Sequence, residues 1–237
     1  MLSKKIRKEI IITNLKSILG SKDFNIKNVG SDDIEYFLEK EDSIHSIYFN
    51  FMDVGDIYVS GFLISINEIE EIILEVGIPN INLLTYQKKE NYLTTIKDSF
   101  FLDLFSRKYR YYNFKNEDEF EEFSKWLENY ILIDGFPFLE HYSFLPNILA
   151  KVDQLITEEK YWSEIISGDA KNLFRGIIIS KLCNDSNFNE KLSYVDKIFY
   201  DDPDEWLPYY EKLKNRLKTL NPKYNANEGS VFKYKTD

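Results

Sequence analysis

A single cysteine, Cys183, stands in the whole chain of 237 residues. One thiol closes no internal disulfide, which excludes a small secreted disulfide scaffold and points to a reducing compartment. Histidine is almost as scarce, with only His45 and His141. The two are far apart, and neither sits in an HExxH or similar zinc spacing. There is no GxSxG elbow and no GxGxxG, and Gly20-Ser21-Lys22 lacks the upstream glycine of a phosphate-binding loop. No stretch approaches the roughly 18 apolar residues of a membrane span. The basic start, Lys4, Lys5, Arg7 and Lys8, leads into Ile10-Ile11-Ile12, but Thr13, Asn14 and Lys16 interrupt the run, so it does not read as a signal peptide. The expectation is a cytoplasmic protein with no cofactor, no metal and no membrane association.

Positive charge is also in deficit. Forty acids face thirty Lys and Arg, a formal net charge of −10. That balance argues against general binding to nucleic acid or anionic lipid, and it suits a basic partner. Bulk for a core is plentiful, with 18 Phe and 17 Tyr among 43% hydrophobic residues.

The clearest architectural stretch is 43–77. His45, Ile47, Phe49 and Phe51 share one face of a strand, Asp53-Val54-Gly55-Asp56 turns, and 57–66 returns. Gly61 in mid-strand predicts a bulge or a close approach by another element. Asn67, with Glu70 at the capping-box position, opens a helix that Gly77 and Pro79 end. Before this come a helix over 2–19, with its basic cluster on a solvated face, and extended pieces at 24–26 and 34–38. After it, extended pieces are expected at 82–86, 92–96 and 108–114. Asn116 and Glu119 form a second capping box, starting a helix to about Ile131. Asp134-Gly135-Phe136-Pro137 marks a boundary, and amphipathic helices follow. Their apolar stripes are led by Leu145, Leu173, Phe188 and Trp206, with a shorter piece around Tyr161 and Trp162. The fold class is therefore α+β: an antiparallel sheet with flanking helices over 1–133, a helical region over 134–220, and a polar tail over 221–237.

Chemistry is harder to place. His141 lies near Asp134 and Glu140 at the expected boundary, which makes these three the candidate acid–base groups. Cys183 with His141 would be the nucleophile–base couple, but Cys183 ends an apolar helix and reads as a buried, inert thiol. His45 reads as structural. Asp185, Asn187, Asn189, Ser193 and Asp196 fall at positions 1, 3, 5, 9 and 12 of a twelve-residue loop, which partly resembles an EF-hand calcium loop. Glu190 stands where that loop needs glycine, and Asp196 stands where it needs glutamate. The competing reading is that Asn187 caps the next helix with Glu190. Arg107, Lys108, Tyr109, Arg110 and Tyr111 interleave cations with aromatics, as a single-strand nucleic-acid platform does. Asp201, Asp202, Asp204 and Glu205 read as acids at a helix start.

The function these features favour is a non-enzymatic protein that binds another protein, and one concrete version is an immunity- or antitoxin-like protein that binds a basic effector through an acidic face. Two alternatives stand beside it: an enzyme built on Asp134, Glu140 and His141, and single-strand nucleic-acid binding through 107–115.

Overall fold

The computed structural model describes residues 2–30, 33–79, 92–110 and 112–226. In chain order these form α1 (Lys4–Gly20), β1 (Asn25–Val29), β2 (Asp33–Glu39), β3 (Ser43–Phe51), β4 (Ile57–Ile66), α2 (Asn67–Val76), β5 (Ile96–Lys97), α3 (Ser99–Lys108) and α4 (Glu117–Tyr130). A π-helical turn (Ile131–Gly135) then leads into α5 (Phe136–Tyr142), α6 (Leu145–Thr157), a 3₁₀ turn (Trp162–Glu164), α7 (Asp169–Leu182), α8 (Phe188–Asp201) and α9 (Leu207–Thr219). The strands make one antiparallel sheet in the order β1-β2-β3-β4-β5, with helices predominating after it, so the chain is α+β. Contacts divide it into two compact units, 1–64 with 98–140 and 65–97 with 141–237.

In the first unit, β2 and β3 pair in a register that sets Ile34 opposite Phe49 and Tyr36 opposite Ile47. His45, Ile47, Phe49 and Phe51 are all buried, the face expected from alternation. Gly61 has φ +68°, and a Cβ there would fall 2.9 Å from Phe101 Cδ1, so the close approach is made by the first turns of α3. Phe101, Phe105, Tyr109, Phe114, Phe120 and Phe123 are buried together between α3 and α4. Burying each such ring contributes about 1.5–3 kcal/mol. Asp98 starts α3 by accepting the Phe101 N–H at 3.0 Å and also accepts the Tyr130 hydroxyl at 2.6 Å.

Arg7 departs from expectation. Its side chain is fully buried, and it donates to the carbonyls of Met52 (2.6 Å) and Asp56, clamping the β3–β4 turn to α1. The carbonyls of Met52 and Asp56, which also accept the Gly55 and Met52 N–H groups within the turn, have lone pairs to spare and supply the acceptors that hold the cation inside.

Residues 134–137, expected as a boundary, are helical. Pro137 lacks an N–H, and its ring would crowd an α-helical carbonyl. The π-helical turn widens the backbone just before it, with the Phe136 N–H reaching back to Ile131 O. Gly135 is required there, because a Cβ would meet the Phe62 ring at 2.4 Å. The piece at 108–114 is likewise not a strand. α3 runs through Lys108, and Tyr109 turns inward onto Phe123 and Trp126, because burial of the ring outweighs the alternation around it. The piece at 92–96 shrinks to β5, and that at 82–86 lies outside the described residues.

In the second unit, Glu70 does not close a capping box. It is buried and pairs with Arg175 of α7 through two contacts of 2.7 Å, while also accepting from Thr95 at 2.5 Å. Arg175 completes its fork on Ser167 O at 2.7 Å. Gly77 ends α2 at φ +84°. Helices α6 to α9 pack around Ile148, Phe174, Ile178, Val195 and Tyr210. A Cβ at Gly176 would stand 2.3 Å from Trp162 Cε3, so this glycine admits the indole against α7. After α9, the N–H groups of Lys223 and Tyr224 both donate to Leu182 O, and the Tyr224 ring meets Phe144 edge-on.

Candidate functional site

Within the second unit, an open cleft of about 930 Å³ lies against the last turns of α6, the 3₁₀ turn, the first turns of α7 and one side of α8. Its apolar wall is Ile156, Tyr161, Tyr194 and Ile198, all exposed, with Tyr161 at 74%. Trp162 backs this wall, 5.9 Å from the Tyr194 ring.

Helical spacing explains why these side chains are outside. On α6 the core takes Val152 and Leu155, which turns Ile156 away from it. On α8 the core takes Val195 and Phe199, so Tyr194 and Ile198, also four apart, form a second apolar row alongside. By sequence, Ile156 belongs to the apolar stripe led by Leu145, and Tyr161 to the shorter piece with Trp162. The signal that finds the wall is the surplus of apolar residues beyond what one buried face needs.

The rim is acidic. Six carboxylates line the cleft, Asp153, Glu159, Asp169, Glu190, Asp202 and Asp204, against only two ammonium groups. Both ammoniums are already engaged. Lys191 is buried, 2.5 Å from Asp153 and in contact with Asp185, and Lys160 is 2.8 Å from Glu158. Asp185 is held below the usual carboxylate range: burial alone would raise it, but bonds from Lys191, Ser180 and the Asn187 N–H prevail.

Two helices end at this cleft with acids at their negative poles. α6 finishes with Glu158 at its C-cap and Glu159 next to it, and α8 finishes with Asp201 and Asp202. Neither has a basic residue in its last turn, which is also true of α1, α2 and α4, whereas α3, α7 and α9 do. Acids at a helix C-terminus oppose the macrodipole and cost roughly 0.3–1 kcal/mol each. The expected helix-start role is seen in Asp204, which accepts the Trp206 N–H at 2.8 Å just before α9.

The residues singled out by sequence are distributed elsewhere. Asp134 is half-buried in the π-helical turn, and Glu140 is exposed on α5. His141, at the end of α5, receives the Asn147 amide on its backbone carbonyl at 2.8 Å. Cys183 is fully buried, and burial pushes its thiol up to about 12, so it is no nucleophile at neutral pH. In the calcium-like stretch, Asp185 is bound to Lys191 and Asp196 is bound to Lys214 at 2.6 Å, so each carboxylate already has a cation. Asn189 is exposed. Asn187 stands at the N-cap of α8 without a side-chain bond, and Asp185 takes the Asn187 N–H at 2.8 Å. Among the described residues, no group of three or more His, Cys, Asp or Glu is placed to hold a metal ion.

Of the cation–aromatic set, Arg107 pairs with Asp103, Lys108 lies over Tyr109 and Trp126, and Tyr109 is buried. A buried ring offers no face to a nucleobase, which removes the central stacking residue of that platform. Arg110 sits in the turn after α3, and Tyr111 lies outside the described residues. Among the described residues, no helix is long and apolar enough to cross a membrane. No family model, curated protein or solved structure matches the chain.

Proposed function

We propose that this chain is a binding protein whose partner presents a cationic, apolar protein segment to the cleft on α6, α7 and α8. The observation that carries the reading is the placement of carboxylates at the C-terminal ends of α6 and α8, beside an exposed apolar wall. Acids at those ends weaken the helices and strengthen a negative field over the cleft, so they make sense as recognition groups. The wall supplies apolar burial and the rim supplies steering, the combination that favours a lysine- or arginine-bearing segment over a neutral one. A net charge of −10 extends the attraction to longer range. An immunity- or antitoxin-like protein that covers a basic effector is one protein of this kind.

The test uses a short synthetic peptide of lysine and leucine and its counterpart with glutamate in place of lysine. Backbone amide shifts of the full chain are followed by NMR. The expected result is saturable shifts confined to 153–173 and 187–204 with the lysine peptide and none with the glutamate peptide. Equal response to both peptides, or shifts centred elsewhere, would overturn the reading.

A further inference from the structure

We infer that the partner segment this cleft receives is an amphipathic basic helix, laid along α8 with its apolar stripe on the wall and lysines or arginines on both flanks. The inference rests on the cleft being a site for cationic, apolar segments, and it names the conformation and residue spacing of the segment that fits.

The packing of three helices forms the trough. α6 and α8 each pack on α7, and they are joined to one another where Lys191 of α8 stands 2.5 Å from Asp153 of α6. Beyond that pair, Ile156 lines the cleft from one helix, and Tyr194 and Ile198 line it from the other. An apolar groove bordered by helices is the setting in which an amphipathic helix lays its apolar face. Along α8 the lining runs from Asn187 to Asp202, about 22 Å at ~1.5 Å per residue. A helix of about 15 residues, four turns, spans that length. It presents apolar side chains to the wall at every third or fourth position.

The position of the charges decides between a helix and a strand. In a strand successive side chains point to opposite faces. One that set its apolar residues on Ile156, Tyr194 and Ile198 would aim its cations away from the protein. In a helix the residues next to an apolar stripe point to its sides, so they meet the borders of a groove. Carboxylates border this one from three helices: Glu159 just after α6, Asp169 at the start of α7, Glu190 in α8 and Asp202 at its C-cap. Lysines or arginines on the flanks reach these acids with their heads, while their stems cover the exposed rings of Tyr161 and Tyr194.

The test compares two lysine–leucine peptides of the same length and composition that differ only in order. In the first the leucines fall at i, i+3, i+4 and i+7, and in the second leucine and lysine alternate. A third peptide is the first with a proline at its centre, which breaks the helix. Each is titrated into the full chain. Amide shifts of the protein locate the contact, and α-carbon shifts of the isotope-labelled peptide report its bound conformation. The helically spaced peptide should saturate shifts in 153–173 and 187–204 and become helical on binding. It should also bind more tightly than the other two by about tenfold or more. Equal or tighter binding of the alternating or the proline peptide, or a first peptide that stays non-helical when bound, overturns the helix and leaves the cleft as a site for cationic, apolar segments. No binding of any of the three, or shifts centred elsewhere, removes that underlying reading as well.

Discussion

His45 and Asp98 belong to the same unit and give stability opposite dependences on pH. Burial, together with Lys40, lowers the His45 imidazole to about 4, with Asp42 opposing. Between about 4 and 6.5 the unfolded chain holds a proton that the folded chain refuses, so stability falls as pH falls, by about 1.4 kcal/mol per unit. Burial raises the Asp98 carboxyl to about 6, against the bonds from Tyr130 and the Phe101 N–H. Between about 3.8 and 6 the folded chain holds the extra proton, so this group's contribution rises as pH falls. The two slopes offset each other over most of that window. In urea unfolding at a series of pH values, His45→Phe should leave stability rising on mild acidification, and Asp98→Asn should make its loss steeper. Identical slopes in both variants and the parent would contradict these assignments. A third residue-scale prediction concerns Gly176→Ala. With a Cβ 2.3 Å from the Trp162 ring, the indole must move, at about 1–3 kcal/mol. Because Trp162 backs the apolar wall, the variant should also change the fluorescence response to a bound peptide.

At the scale of elements, the ends of α6 and α8 separate stability from binding. Glu159→Lys and Asp202→Lys place cations at helix C-termini, where each should stabilise the chain by about 0.3–1 kcal/mol. The same changes should weaken binding of a basic peptide, so thermal unfolding and titration should move in opposite directions. Loss of both would mean the acids serve the fold. Much of this scale was legible in sequence. The hairpin, the Gly77 stop and the Asn116–Glu119 start follow from local chemistry, and Asn116 does accept the Glu119 N–H at 2.9 Å. What was not legible depends on partners far along the chain. Glu70 fits a capping box by spacing, yet it finds Arg175, 105 residues away, and a doubly bonded buried pair prevails over a local bond. Arg7 sits in a basic cluster and looks solvated until the turn it clamps is in place. The cleft was hidden for a related reason. Ile156, Tyr161, Tyr194 and Ile198 have the composition of core, and only the packing decides which apolar row is covered.

Over the whole molecule, the excess of acid is a bulk field, to which the proposed reading gives a local purpose at the cleft rim. If rim carboxylates carry recognition, affinity for a basic segment should fall as salt rises toward 1 M, where the Debye length shrinks to about 3 Å. The apolar wall should leave a salt-resistant remainder. The most direct measurement is calorimetric titration of the lysine–leucine peptide into the parent chain and into a variant carrying Asp169→Asn, Glu190→Gln, Asp202→Asn and Asp204→Asn. Each exposed contact is worth a few tenths of a kcal/mol, so losing four should weaken binding about tenfold. Equal affinity for the two proteins, with the variant folded, would contradict the claim that this cleft selects a cationic partner.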